Sequence, residues 1–207
     1  MARAKSSGLY SVHPGLGMVQ KWITELPAKT GRSLDEWIDF VKKQGPAGEK
    51  ERRAWLKADH KLGTNSAWWI AERAEGKGRE EDSPEAYLQA ADGWVETMYS
   101  GAKKDLRPIY DALLKLGLSI GKDVKACPGK TAVPLYRNHV FAHIKPTTNT
   151  RVDLGLALGK MKTPKRLIDT GGYEKKDRIT HRIAISKKAE IDVEVKQWLR
   201  RAYDLDL

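Results

Sequence analysis

One cysteine, Cys127, stands in a chain of 207 residues. That excludes an internal disulfide and a cysteine-built zinc cluster. No stretch approaches the ~20 apolar residues of a membrane span. The first residues carry Arg3 and Lys5 but no apolar signal core. A cytoplasmic protein without a membrane partner is the expectation. There are no internal repeats.

Nucleotide signatures are missing too. Gly129-Lys130-Thr131 matches the end of a phosphate-binding P-loop, but the glycine needed five residues earlier is Val124, and Pro128 stands in the way of a leading strand. Gly15-Leu16-Gly17 is followed by Gln20 where the dinucleotide fingerprint needs glycine. No cofactor is expected. His139 and His143, read on a strand, lie roughly 13 Å apart, too far to share a metal. Thr180-His181 with Asp153 has the residue types of a nucleophilic triad, yet spacing alone gives no specificity. No catalytic residue is assigned, and a non-catalytic binding module is the expected class.

What the chain does have is positive charge in one place. Its 38 Lys+Arg and 27 Asp+Glu leave +11. Residues 122–188 hold sixteen basic and five acidic side chains, so this third of the chain carries the whole surplus. Such a balance suits nucleic acid or another polyanion. The candidate contacts are Lys130, Arg137, Lys160, Lys162, Lys165, Arg166, Lys175 and Lys176. A surface kept soluble by solvated charge is the plainer account.

The first part reads as helix. Met18, Val19, Trp22, Ile23 and Leu26 recur at helical spacing until Pro27 and Gly31 interrupt. Ser33 and Glu36 are spaced as a capping box before Leu34, Trp37, Ile38 and Val41. Gly45-Pro46 stops that helix. A third, with Ala54, Trp55, Ala58 and Leu62, ends at Gly63, and Asn65 is placed to cap a fourth. Five of the seven Trp lie within residues 22–69. Trp22, Trp37 and Trp55 fall on apolar stripes and are expected to centre a bundle. The alternative is that one or two of these five form a stacking surface. Residues 55–73 also have the outline of a helix-turn-helix, although Trp68-Trp69 stand where a recognition helix exposes polar groups.

The polar run over 76–83 reads as a linker, and Ser83-Pro84-Glu85 as a new helix start. This divides the chain into a helical domain at 10–75 and a second domain at 84–207. Within the second, residues 87–99 and 106–116 are helical, the latter ending at Gly117. Period-2 alternation then marks strands at Val133/Leu135, at Val140/Ala142/Ile144 with Phe141 and His143 outward, and at Val152/Leu154/Leu156. A loop follows at 145–150, a further strand begins at Arg182, and an amphipathic helix closes the chain. The fold class is α+β: a helical bundle followed by an antiparallel sheet with helices.

Arg151 and Asp153 share one strand face by their spacing. Pairing with the strand after Thr180 brings His181 or Arg182 beside them. The plainer account of Arg151, Asp153, His181 and Arg182 is an ion pair that fixes strand register; the sharper one makes them the alternative site, a pocket for a small anion or the centre of an unrecognised enzyme. A pocket lined by these groups favours that alternative; an open basic face favours a polyanion.

Two stretches resemble known families. His13-Pro14-Gly15 through Ser33-Leu34-Asp35-Glu36-Trp37, with Trp55-Leu56-Lys57, His60, Leu62-Gly63 and Ala71, resembles a short bacterial helical domain of unknown function. Lys61 departs from its pattern, which has glycine there. Ile109-Tyr110-Asp111, Phe141-Ala142, residues 150–156, Thr180-His181-Arg182 and residues 198–203 resemble a second uncharacterised bacterial domain that occurs with the first. The resemblance implies no known activity. In layout the second domain is distantly similar to YjbR/MmcQ-like and YdhG-like α+β domains, some of which have been compared with DNA-binding folds.

Overall fold

A computed structural model describes residues 8–162, 164 and 166–207. The chain forms two compact units. One is Val12–Gln89; the other is Ala90–Leu207 joined by the described residues up to Ser11. The helical unit is thus inserted near the start of the second. The N-terminal residues are tied into the second unit. Ser11 N–H donates to the Ala126 carbonyl at 2.8 Å, and the Tyr10 and Tyr110 hydroxyls share a hydrogen bond of 2.8 Å.

The helical unit contains α1 (Leu16–Thr30), α2 (Leu34–Gln44), α3 (Glu49–Ala58) and α4 (Thr64–Ala74). The capping box forms: Ser33 Oγ accepts from Glu36 N–H, and Glu36 Oε2 accepts from Ser33 N–H at 2.7 Å. Leu26, Leu34, Trp37, Ile38, Val41, Leu56 and Ile70 build the core, with Trp22 and Trp55 half-buried against it. The indoles of Trp22 and Trp37 donate to Ser66 Oγ and Thr30 Oγ1, so burial leaves no orphan donor. Met18, expected on the apolar stripe, faces water. Pro27 does not break α1. The helix ends three residues later, where Gly31 takes a left-handed φ of 76° and donates to the Pro27 carbonyl.

The run expected as a linker carries a short 3-10 turn, Arg79–Glu81. It is anchored by Arg73, whose side chain is fully buried. Arg73 Nε donates to Asp82 Oδ1 at 2.7 Å and Nη1 to the Trp69 carbonyl at 3.3 Å. A buried guanidinium needs such a partner. Next comes α5 (Pro84–Met98), started by Ser83 Oγ accepting from Ala86 N–H. The division between the units falls along this helix.

In the second unit, α6 (Arg107–Leu118) precedes a six-stranded sheet, entirely antiparallel, in the order β1-β2-β3-β4-β6-β5. The strands are β1 (Lys125–Ala126), β2 (Val133–Tyr136), β3 (Val140–Thr148), β4 (Arg151–Leu156), β5 (Ile168–Asp169) and β6 (His181–Ile185). The last helix, α7 (Val193–Asp204), is capped by Asp192, whose side chain accepts from Val195 N–H. Val152, Leu154, Leu156, Ile183 and Ile185 pack with Ile109, Leu113, Val195 and Leu199, so α6 and α7 cover one sheet face.

Three local expectations change. Gly117 lies inside α6 rather than ending it. A Cβ there would come 2.5 Å from Leu135 Cδ1, so the glycine lets helix and sheet approach. Phe141 points into the core because the β2–β3 register shifts beside Tyr136, and a bulge turns the alternation over. β3 runs on to Thr148, which reduces the expected loop at 145–150 to a tight turn. The chain is an α+β protein. Among the described residues, no helix is long and apolar enough to cross a membrane.

Candidate anion-binding face

The outer face of the sheet follows from its register. Pro134, His143, Gly155, Arg182 and Ile168 form one row across five strands. Beside it, Lys145, Asp153 and Ala184 form a second. Arg151 lies two residues before Asp153 on the same face.

Asp153 is the centre of this face, 5% exposed. Arg151 Nε approaches its Oδ1 at 2.8 Å, and Arg151 Nη2 donates to Oδ2 at 3.3 Å. Arg182 Nη1 donates to Oδ1 at 3.1 Å. Both guanidiniums stay partly in solvent, so one carboxylate orients two cations toward it. Lys145, paired in register with Asp153, is exposed and makes no ion pair among the described residues. The cluster keeps a positive surplus on rigid strands.

His143 lies over Gly155. A Cβ on that glycine would sit 2.4 Å from His143 Nε2, so only glycine admits the ring. Burial, and then the neighbouring Lys145 charge, push the imidazole pKa below its ordinary value, against the opposing pull of Asp153. The ring is thereby kept neutral.

His181 goes elsewhere. It pairs with Leu156 on the core face and is 1% exposed. Its Nδ1 shares a 2.8 Å hydrogen bond with Thr180 Oγ1, which also accepts from Leu158 N–H at 3.2 Å. The structure therefore brings Arg151, Asp153 and Arg182 together and leaves His181 on the opposite side of the sheet. A cavity of about 980 Å³ opens where β4 ends and β6 begins, against Leu158, Lys160, Lys176, Arg178, Thr180 and Asp206. None of Arg151, Asp153 and His181 lines it.

The basic set divides the same way. Arg137 stacks over Tyr203, 4.4 Å from the ring centre, and pairs with Asp123 at 3.1 Å. Arg166 is tied to the start of α7 through Asp192, Glu194 and the Glu190 carbonyl. These two arginines serve the fold. Lys160, Lys162, Lys175 and Lys176 are exposed and free of ion pairs among the described residues, and Lys130 is exposed as well. Lys165 lies outside the described residues. Sequence reasoning left His143 unassigned. Its signal was the parity it shares with Lys145 on β3.

Cys127 is buried and its thiol is pushed up to about 12 by burial, which leaves it an unreactive core residue. Among the described residues, no three His, Cys, Asp or Glu side chains group to hold a metal ion.

Residues 95–206 match the family described as Domain of unknown function (DUF5655), and residues 18–76 match Domain of unknown function (DUF4287). The first match spans more than half of the chain, which therefore belongs to the DUF5655 family. No curated protein and no solved structure matches it.

Proposed function

We propose that this member of the DUF5655 family is a binding protein for a polyanion, with nucleic acid as the fitting class and the outer sheet face as the contact surface. The observation that carries this reading is that Arg151 and Arg182, each partly exposed, converge on one carboxylate, with the exposed Lys145 in register beside it. It lies within the third of the chain that holds the whole positive surplus. Guanidiniums pre-oriented on strands lose little freedom when they meet phosphate, and they can pair with it bidentately. A distant likeness to YjbR/MmcQ-like and YdhG-like domains, which the sequence resemblance implies, would be in keeping with this reading, as would a bacterial cytoplasmic setting.

A small-anion pocket at Arg151, Asp153 and His181 has less support, because His181 faces the core. The test is equilibrium binding of labelled nucleic acid over a series of salt concentrations. Each phosphate neutralised lowers log K against log salt by about 0.9 on duplex or about 0.7 on single strands. Changing Lys145, Arg151 and Arg182 together to Gln should flatten that slope by two to three such steps. An unchanged slope, with the variant folded, removes the sheet face from consideration.

A further inference from the structure

The helical unit carries a second surface with a different chemistry. Lys50, Arg53, Ala54 and Lys57 recur on α3 at the spacing of one helix face. Thr64 and Trp68 do the same on α4. Together these six residues line a groove of about 290 Å³. That is just under the ~300–1,000 Å³ of pockets for drug-sized ligands, so it suits one planar ring rather than a whole cofactor.

Trp68 is the unusual member. It is 42% exposed, whereas its neighbour Trp69 packs on Trp22 with ring centres 4.8 Å apart. Its indole N–H has no hydrogen-bond partner among the described residues. Arg53 holds one side of the ring, 5.3 Å from its centre, and is itself steadied by Glu49. Lys50 and Lys57 are exposed and make no ion pair among the described residues. Two uncommitted cations and a presented aromatic ring share one small groove.

We propose that this groove binds single-stranded nucleic acid, with one base stacked on the Trp68 indole and the flanking phosphates held by Lys50 and Lys57. Every base offers a π-face to an aromatic platform, and lysines follow the backbone without reading sequence. A duplex keeps its bases stacked on each other and offers none to Trp68, so the preference is for single strands. This contact needs no residue of the sheet and goes beyond the reading above.

The test uses the full chain, a fluorescently labelled oligothymidine and anisotropy at low salt. Trp68→Ala should weaken binding roughly five- to hundredfold, and Trp68→Phe should restore most of it. Lys50→Gln with Lys57→Gln should flatten the salt slope by about 1.4, two single-strand phosphates. Inorganic polyphosphate, which has no bases, should bind Trp68→Ala and the unaltered chain alike. Because the ring is 42% exposed, its removal should cost less stability than that of a buried Trp, and a melting curve confirms that each variant is folded at the assay temperature. Binding that ignores Trp68→Ala overturns the proposal, whether or not the sheet variants weaken it. Binding that falls with Trp68→Ala but ignores the Lys145, Arg151 and Arg182 changes supports this groove and removes the sheet face. No binding of the oligothymidine at low salt overturns the groove.

Discussion

Arg182 reaches Asp153 diagonally across the β4–β6 ladder: its Nη1 donates to Oδ1 at 3.1 Å, although Arg182 is in register with Gly155 and Asp153 with Ala184. Arg151 meets the same oxygen from the other side. Asp153→Asn removes the charge that holds the two arginines. Stability should fall by about 1–3 kcal/mol, less than for a fully buried pair because both guanidiniums touch water. Polyanion binding at low salt should rise, since the cluster loses a negative charge. Arg151→Ala should weaken binding instead. Urea midpoints read the first effect and anisotropy reads the second.

Gly117 tests the fit of α6 on the sheet. An added methyl would press on Leu135, which is fully buried. Gly117→Ala should therefore destabilise by about 1–3 kcal/mol through overpacking, against the usual gain of alanine in a helix. A rise in melting temperature would show that Leu135 can move aside.

Much of this architecture was legible because it rests on local chemistry. The capping box at Ser33 and Glu36, the helix start at Ser83-Pro84, and the parity of Arg151 with Asp153 each need only a few neighbouring residues. What was hidden depends on partners distant in sequence. The bulge that buries Phe141 is set by pairing with β2. Two-residue strands such as Ile168–Asp169 are too short to show a period. Arg137 and Arg166 read as free cations because Asp123 and Asp192 meet them only in the fold. Trp68 and Trp69 are adjacent in sequence, and only the packing of Trp22 against Trp69 separates an exposed ring from a half-buried one.

Lys61 shows the same division from the opposite side. Lys61 takes a left-handed φ of 56°, the region that favours glycine. That conformation costs an ordinary residue roughly 1–2 kcal/mol. The Lys61 ammonium donates to the Ala58 carbonyl at 2.7 Å and returns part of that cost. Lys61→Gly should stabilise the protein by about 0.5–1 kcal/mol, seen as a higher urea midpoint with an unchanged slope. A lower midpoint would mean that the ammonium contact outweighs the strain.

The 76–83 segment should resist proteolysis as long as Arg73 keeps its partner. Asp82→Ala leaves a fully buried guanidinium without its carboxylate. Loss of one partner of a buried pair costs about 3–5 kcal/mol, and the 20% exposure of the Asp82 side chain puts the expectation at the low end. Limited trypsin digestion should then cut first at Lys77 or Arg79 in the variant, and elsewhere in the unaltered chain. Equal cutting in both would mean that the ion pair does not hold the segment.

His143 gives the sheet a pH dependence whose sign follows from its surroundings. Burial and Lys145 lower its pKa below the ordinary 6.5. The unfolded chain therefore binds a proton at a pH where the folded chain does not, and stability rises with pH through that window. This contribution is complete above about 6.5 and is lost as pH falls from there toward the depressed folded value. Charging the ring would also place a third cation beside Lys145 and Arg182 over the glycine that admits it. His143→Gln, which cannot take up the proton, should flatten the fall in urea midpoint between pH 7 and pH 5 relative to the unaltered chain. If the two profiles run parallel, the imidazole titrates alike in both states, and the ring over Gly155 is better solvated than its position implies.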